Sequence, residues 1–277
     1  MTMTQPGVLT EPYQIAPDVF VVPFQQFAPP VGFFCLNSMV VRGREPMIVD
    51  TGPPVNRQAW LDGVFGLVEP EDVRWIFLSH EDVDHAGNLL PLLDACPNAT
   101  LLTSWFTVGR MAAECMLPLP RCRFLNEGDS LDAGDRTFRA LRPPVYDSPT
   151  TRALFDSRSG VLWAVDGFAA PVPYPVRWTD ELGDAECAEG QRLGNRLLAP
   201  WHTLLDPARF HAEVDRIQSL PIGAIASAHT PAIRGGAIAR SFGLLRGLPD
   251  AEPWAPYTQA DLDSWVAAMA GSGHPAG

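Results

Sequence analysis

The residues best suited to chemistry in this chain stand together in one short stretch, Ser79-His80-Glu81-Asp82-Val83-Asp84-His85-Ala86-Gly87-Asn88. Imidazoles and carboxylates at 80, 82, 84 and 85 follow the apolar run RWIFLS (74–79) and precede a helical pattern over 86–95. A loop leaving a strand can turn alternate side chains inward. Imidazole nitrogen with carboxylate oxygen is a natural donor set for zinc, iron or manganese. The alternative is a solvated acidic loop in which Asp82 or Asp84 caps the next helix. Clustered acidic charge argues against it, because such charge repels itself unless something positive lies within. Asp166 ends the apolar run VLWAVD (161–166) and His229 follows GAIASA (223–228), so two more donors occupy strand ends. Singly, each reads as a capping Asp or a packed His; jointly with the loop they make a metal site the better explanation.

The elements that must hold these residues alternate in type. Short β-branched or aromatic runs predict strands over 19–24, 33–41, 47–50, 74–79, 99–104, 121–125, 136–141, 152–156, 161–166 and 223–228. Apolar spacing predicts helices over 55–68, 86–95, 104–115 and 207–219, then C-terminal helices near 236–246 and 258–269. Strands in both halves with interspersed helices point to a layered α/β architecture whose loops gather at one edge. Nothing resembles a linker, so residues 1–277 read as one domain. The stretch 167–200, rich in Pro, Gly and polar residues, shows no sustained period and reads as a lid or insertion near the site.

Composition narrows the function classes. The chain has 277 residues, 46% hydrophobic and 19% charged, which suits a globular protein with a sizeable core. Its formal net charge of -12 argues against a nucleic-acid partner. All 20 basic residues are Arg, which excludes a phosphate-binding loop that needs Lys, a Schiff-base lysine and a Ser-Lys dyad. Cys35, Cys96, Cys115, Cys122 and Cys187 are scattered and odd in number, as expected of buried thiols in a reducing compartment. The start of the chain lacks a leader pattern, and the apolar stretch 20–41 is broken by prolines and polar residues; the expectation is a cytoplasmic protein with no membrane partner.

The order Val49-Asp50-Thr51-Gly52, then His80-x-Asp82-x-Asp84-His85, then Asp166, then His229 resembles the metallo-β-lactamase superfamily over about residues 15–245. The resemblance implies an αββα sandwich, two mixed β-sheets flanked by helices, with a dinuclear site at one edge. Asp50 matches the family's buried aspartate, which supports the site without binding metal. Hydrolytic members usually have H-x-H-x-D-H, whereas Asp82 stands here in place of the second His. A carboxylate there is similar to the oxygen-binding di-iron proteins and the metal domain of flavodiiron proteins, which typically have Glu. Asn37-Ser38, the segment from Leu162 to Phe168 and the stretch from His229 to Arg234 agree with that subgroup. The family's further His before a Ser-Pro pair is Asp147 here, ahead of Ser148-Pro149.

The family layout implies His80, Asp82, Asp147 and the bridging Asp166 at site one, and Asp84, His85, His229 and the same bridge at site two. Asp84 and Asp166 are its candidate catalytic residues. Either Asp147 faces the metals or Tyr146 does. Four carboxylates would neutralise two divalent cations, and oxygen-rich ligation favours iron or manganese over zinc. Two readings of function follow. The first is a non-haem di-iron protein that binds or reduces dioxygen or a related small oxidant, with a possible organic substrate. The second is a metal-dependent hydrolase of an ester, thioester, lactone or phosphoester. Fewer than fifty residues follow His229, so no FMN domain is expected in this chain; electrons would come from a separate donor protein or from the substrate itself, or the protein binds oxygen as a sensor. The oligomeric state is left open, although this fold often forms homodimers.

Overall fold

The structure, a computed structural model, describes Val8 and residues 11–271. The start of the chain, whose sequence lacks a leader pattern, lies largely outside these residues, as does His274. Along the chain, β1 (Tyr13–Ala16) and β2 (Val19–Val22) form one antiparallel pair, and β3 (Gln25–Ala28) and β4 (Gly32–Cys35) form a separate hairpin. The next strands are β5 (Ser38–Val41), β6 (Met47–Val49), β7 (Trp75–Phe77), β8 (Thr100–Thr103) and β9 (Cys122–Phe124). With β1 and β2 they build a seven-stranded mixed sheet in the order β1-β2-β5-β6-β7-β8-β9. The remaining strands, β10 (Ser130–Asp132), β11 (Thr137–Leu141), β12 (Ala153–Asp156), β13 (Val161–Trp163), β14 (Ala224–Ser227) and β15 (Thr230–Arg234), form a six-stranded mixed sheet in chain order.

Period-two alternation sorts the side chains into layers. Met47, Val49, Trp75 and Phe77 enter the core that also holds Phe138, Leu154 and Trp163 of the second sheet, while Ile48, Ile76 and Leu78 point to the opposite face of the first. That outer face is covered by α1 (Arg57–Phe65), the short α2 (Val83–Ala86), α3 (Leu89–Ala95) and α4 (Trp105–Met111), with Trp60, Val64, Leu89 and Leu92 packed on it. The second sheet is flanked by α5 (Asp184–Leu198), α6 (Pro207–Gln218) and α7 (Gly236–Arg246), and α8 (Gln259–Gly271) follows. Helix, sheet, sheet and helix layers give the αββα sandwich.

Three expectations need correction. The predicted strand over 33–41 is two strands in different sheets. The break is Asn37, whose Nδ2 donates to the carbonyls of Ser227 and Thr230 (both 2.9 Å) and whose N–H donates to Ala228, tying this turn to the second sheet. The predicted strand over 161–166 stops at Trp163, because Val165 adopts φ 57°, a costly left-handed conformation for a β-branched residue. The carbonyl of Val165 is held by Ser227 Oγ (2.7 Å) and the N–H of Ala228 (2.8 Å). Finally, 167–200 is not irregular throughout, since α5 occupies fifteen residues of it. Its buried face is made of Gly190, Gln191, Gly194 and Asn195. A Cβ at Gly190 would meet the carbonyl oxygen of Pro171 at 2.3 Å, and one at Gly194 would meet that of Ala169 at 2.1 Å. The helix packs through backbone proximity rather than apolar side chains, so hydrophobic spacing could not reveal it.

Candidate metal centre

Strand direction explains why the candidate donors meet. β6, β7 and β8 run parallel, as do β13 and β14, and the antiparallel pairs β11·β12 and β12·β13 make β11 point the same way as β13. Asp50 follows β6, His80 to His85 follow β7, Asp147 lies between β11 and β12, Asp166 lies just beyond β13, and His229 follows β14. All therefore leave their sheets at C-terminal ends, and the two edges adjoin. The loops are also stitched together. His85 O accepts from Thr51 N (2.6 Å) and Thr51 Oγ1 (2.8 Å), and Asn88 Nδ2 donates to Thr51 O (2.7 Å) and Pro53 O (3.1 Å).

The rings are oriented by hydrogen bonds behind them. Asp50 is fully buried in the left-handed region at φ 55°. Its Oδ1 accepts from Ser79 N (2.7 Å), and its Oδ2 accepts from Ser79 Oγ (2.7 Å), His85 Nδ1 (2.8 Å) and Trp163 Nε1 (3.2 Å). Ser79 commits its single hydroxyl proton to Asp50, so its oxygen is the acceptor for His80 Nδ1 at 3.2 Å. His229 Nδ1 donates to the carbonyl of Cys35 (2.9 Å), and Phe34 lies against the same ring, centroids 5.2 Å apart. With Nδ1 engaged on each ring, Nε2 is the nitrogen left to face the interior, the arrangement that fixes imidazole as a ligand.

Those nitrogens converge on carboxylates. His85 Nε2 lies 3.5 Å from Asp84 Oδ2 and 3.5 Å from Asp166 Oδ1; for His229 Nε2 the separations are 3.5 and 3.4 Å. Around His80 Nε2 they are wider: 3.6 Å to Asp82, 3.8 Å to Asp147 and 3.9 Å to Asp166. Two atoms each about 2.1 Å from one ion stand roughly 3.0–3.5 Å apart, so the second group already has ligand spacing and the first is slightly open. Both oxygens of Asp166 and Nε2 of His85 are buried with no hydrogen-bond partner. A buried carboxylate with no donor is costly, and cations between these groups would relieve it. The donor set fits two divalent ions, with Asp166 reaching both groups. The side facing Asp82 and Asp147 is open to solvent, at 44% and 33% side-chain exposure, while Asp166 is sealed.

Without cations the cluster holds protons. Burial works against charge on His80 and His85, yet the surrounding carboxylates, Asp166 and Asp50 among them, raise both, His85 strongly. Burial and then the charge of Asp166 push Asp147 up to about 6. Asp82 is lowered by His80 beside it; Asp166, opposed by its burial, is held well below the carboxylate range by the imidazoles. Groups with raised values bind protons more tightly folded than unfolded, so their contribution to stability falls as pH rises. For Asp147 this happens between about 4 and 6, and for the two imidazoles it happens from about 6.5 upward through their folded values. Thermal melts of the metal-stripped protein should therefore show lower stability at pH 8 than at pH 6. Added manganese(II) should raise the melting point more at pH 8, because fewer protons compete with the metal for these groups there. Equal metal-induced shifts at both pH values would contradict this.

Asp147 faces His80, whereas Tyr146 turns away to pack on Trp201 (5.2 Å) under the guanidinium of Arg142. His202 is buried with both ring nitrogens unpartnered and stands outside the cluster, and His211 bonds the carbonyl of Arg246. Arg234 pairs with Asp180 at 2.8 Å and lies over Trp178. The five cysteines are free, and burial pushes the Cys35 thiol up to about 12. Sequence reasoning missed Ser79, Trp163, Phe34 and the Cys35 carbonyl as supports of the site. Only the position of Ser79 directly before His80 offered a signal.

Residues 31–103 match the family model for the metallo-beta-lactamase superfamily. The fold is similar to that of the flavodiiron protein from Giardia intestinalis, with a TM-score of 0.76 and 17% identity over 88% of this chain and 60% of that one. The rubredoxin oxygen:oxidoreductase of Desulfovibrio gigas gives a TM-score of 0.76 at 16% identity, covering 88% of this chain and 63% of that one. In sequence, the chain is 22% identical over 195 residues to the anaerobic nitric oxide reductase flavorubredoxin of Pectobacterium atrosepticum, covering 70% of this chain and 38% of that protein. The matches span 23% to 48% of the length of the first curated relatives. Residues 31–103 are thus similar to the metallo-β-lactamase superfamily, and the chain has the fold of the flavodiiron proteins.

Proposed function

We propose that this chain is a non-haem di-iron protein that binds and reduces dioxygen or a related small oxidant such as nitric oxide. His80, Asp82, Asp147 and Asp166 would hold one iron, and Asp84, His85, His229 and Asp166 the other. The observation that carries the reading is the buried convergence of three imidazole Nε2 atoms on an Asp166 carboxylate that has no hydrogen-bond donor. The pair of irons, when bound, supplies the redox chemistry that a diatomic oxidant requires.

The chain's own residues do the rest. Asp50 and Ser79 orient His85 and His80, and the Cys35 carbonyl orients His229. Asp82 and Asp147, part-exposed, border the side from which a small molecule reaches the centre, while Phe34 covers His229. Asp84 touches both His85 and His229 and stays part-exposed, so it and Asp166 are the candidate catalytic residues. Oxygen-rich ligation supports iron or manganese over zinc. The names of the matched relatives, oxygen oxidoreductase and nitric oxide reductase, support reduction over hydrolysis. Electrons would come from a separate donor protein, and five free thiols, two of them buried and three half-buried, suit a reducing cytoplasm. Among the described residues no helix is long and apolar enough to cross a membrane.

The test is consumption of dioxygen and of nitric oxide by iron-loaded protein, with a chemical reductant and mediator in place of the donor. The proposal expects turnover that disappears on metal removal and is not restored by zinc. Hydrolysis of ester, thioester or lactone panels by the zinc form, with no consumption of either gas by the iron form, would overturn it.

A further inference from the structure

Glu81 sits between two candidate ligands, yet its carboxylate turns away from them. Oε2 accepts from Thr150 Oγ1 at 2.5 Å, Oε1 accepts from Ser148 Oγ at 3.3 Å, and Arg110 of α4 pairs with Oε1 from the far side. Thr150 N also donates to Ser148 Oγ at 3.4 Å, and the two hydroxyl oxygens stand 2.7 Å apart, so Glu81 grips a closed turn rather than a single side chain. Asp147 begins that turn. On its other flank the carbonyl of Tyr146 accepts from Trp201 Nε1 at 3.1 Å, so Asp147 is clamped from both sides. Among the described residues, the loop's other hydrogen bond to the first sheet's side of the site is from Arg152 N to Ser79 O at 3.0 Å.

We infer that Glu81 is a positioning residue that holds Asp147 within reach of His80 and so completes the first metal position. Its side chain ties the two ligand-bearing loops, 80–85 and 145–151, which come from different sheets. Arg110 neutralises the carboxylate and keeps it out of the ligand set, and Thr150, wholly buried, makes the grip short and directional. The first position depends on this grip because it is the wider and more exposed of the two. The second position draws nothing from Glu81. The inference rests on the proposed dinuclear centre.

The experiment is manganese(II) titration of the metal-stripped full chain, with free metal read by electron paramagnetic resonance. Wild type is expected to take two ions. Glu81→Ala should keep one tight ion and bind the second about 10- to 100-fold more weakly, the range for losing an outer hydrogen-bond partner of a ligand. Thr150→Val, which removes the 2.5 Å bond to Glu81 and the 2.7 Å contact with Ser148, should shift the second ion in the same direction. Asp147→Ala should weaken the second ion at least as much as Glu81→Ala, and the double variant should be no worse than Asp147→Ala alone, because Glu81 acts through Asp147. If wild type takes two ions and Glu81→Ala binds both unchanged, or if the double variant loses the sum of the single effects, the inference fails and the dinuclear reading stands. If wild type itself takes no second ion, the dinuclear reading fails.

Discussion

Asp166→Asn should strip both metal positions at once. Among the described residues, Asp166 Oδ1 is the one carboxylate oxygen within 3.9 Å of Nε2 on all three imidazoles, and its partner oxygen has no hydrogen-bond partner. The amide replaces a double acceptor with one oxygen and one pair of N–H donors, and it removes a negative charge that two cations share. Losing an outer partner of a ligand costs about 10- to 100-fold in affinity, so loss of a shared ligand should exceed about 100-fold at each position. Equilibrium dialysis against manganese(II) would measure it, with circular dichroism confirming the fold. Asp82→Asn, by contrast, should affect only the first position. An Asp166→Asn protein that retains one tightly held ion would show that Asp166 does not join the two groups.

The second large effect concerns stability. Asp50→Ala should destabilise the metal-free protein by about 3–5 kcal/mol, the cost of breaking a buried hydrogen-bonded charge network by removing one partner. Ser79 N, Ser79 Oγ, His85 Nδ1 and Trp163 Nε1 all lose their acceptor in a site without water access. Alanine also tolerates φ 55° less well than aspartate does. Asp50→Asn keeps the conformation and one acceptor oxygen, so its penalty should be smaller, about 1–3 kcal/mol. Urea unfolding at fixed pH compares the two. An Asp50→Ala protein within about 1 kcal/mol of wild type would show that the network behind the imidazoles is not a structural support.

The parts of this fold legible from sequence are those whose signal is local. The loop from His80 to His85 announces itself because its donors are contiguous and follow an apolar strand. Asp166 and His229 are legible as polar residues at the ends of apolar runs, and α6 and α7 as apolar stripes of helical period. Asp147 was identified only through a family resemblance, since its own surroundings, Val145-Tyr146 and Ser148-Pro149, carry no chemical pattern. The supports of the site were not legible for a different reason. Trp163 reads as core, and reaches Asp50 across 113 positions of chain; Phe34 meets His229 across an even longer separation. Helix α5 escaped because glycine carries its contact face, and Val165 because backbone strain leaves no trace in residue type. Tertiary neighbours decide all of these, and no window of sequence contains them.

Iron-edge anomalous diffraction from crystals of the anaerobically iron-loaded chain tests the central claim most directly. The account predicts two peaks on either side of the Asp166 carboxylate, one beside His80 and one between His85 and His229. A single peak, or iron bound elsewhere with the His80, His85 and His229 rings turned from Asp166, would contradict it.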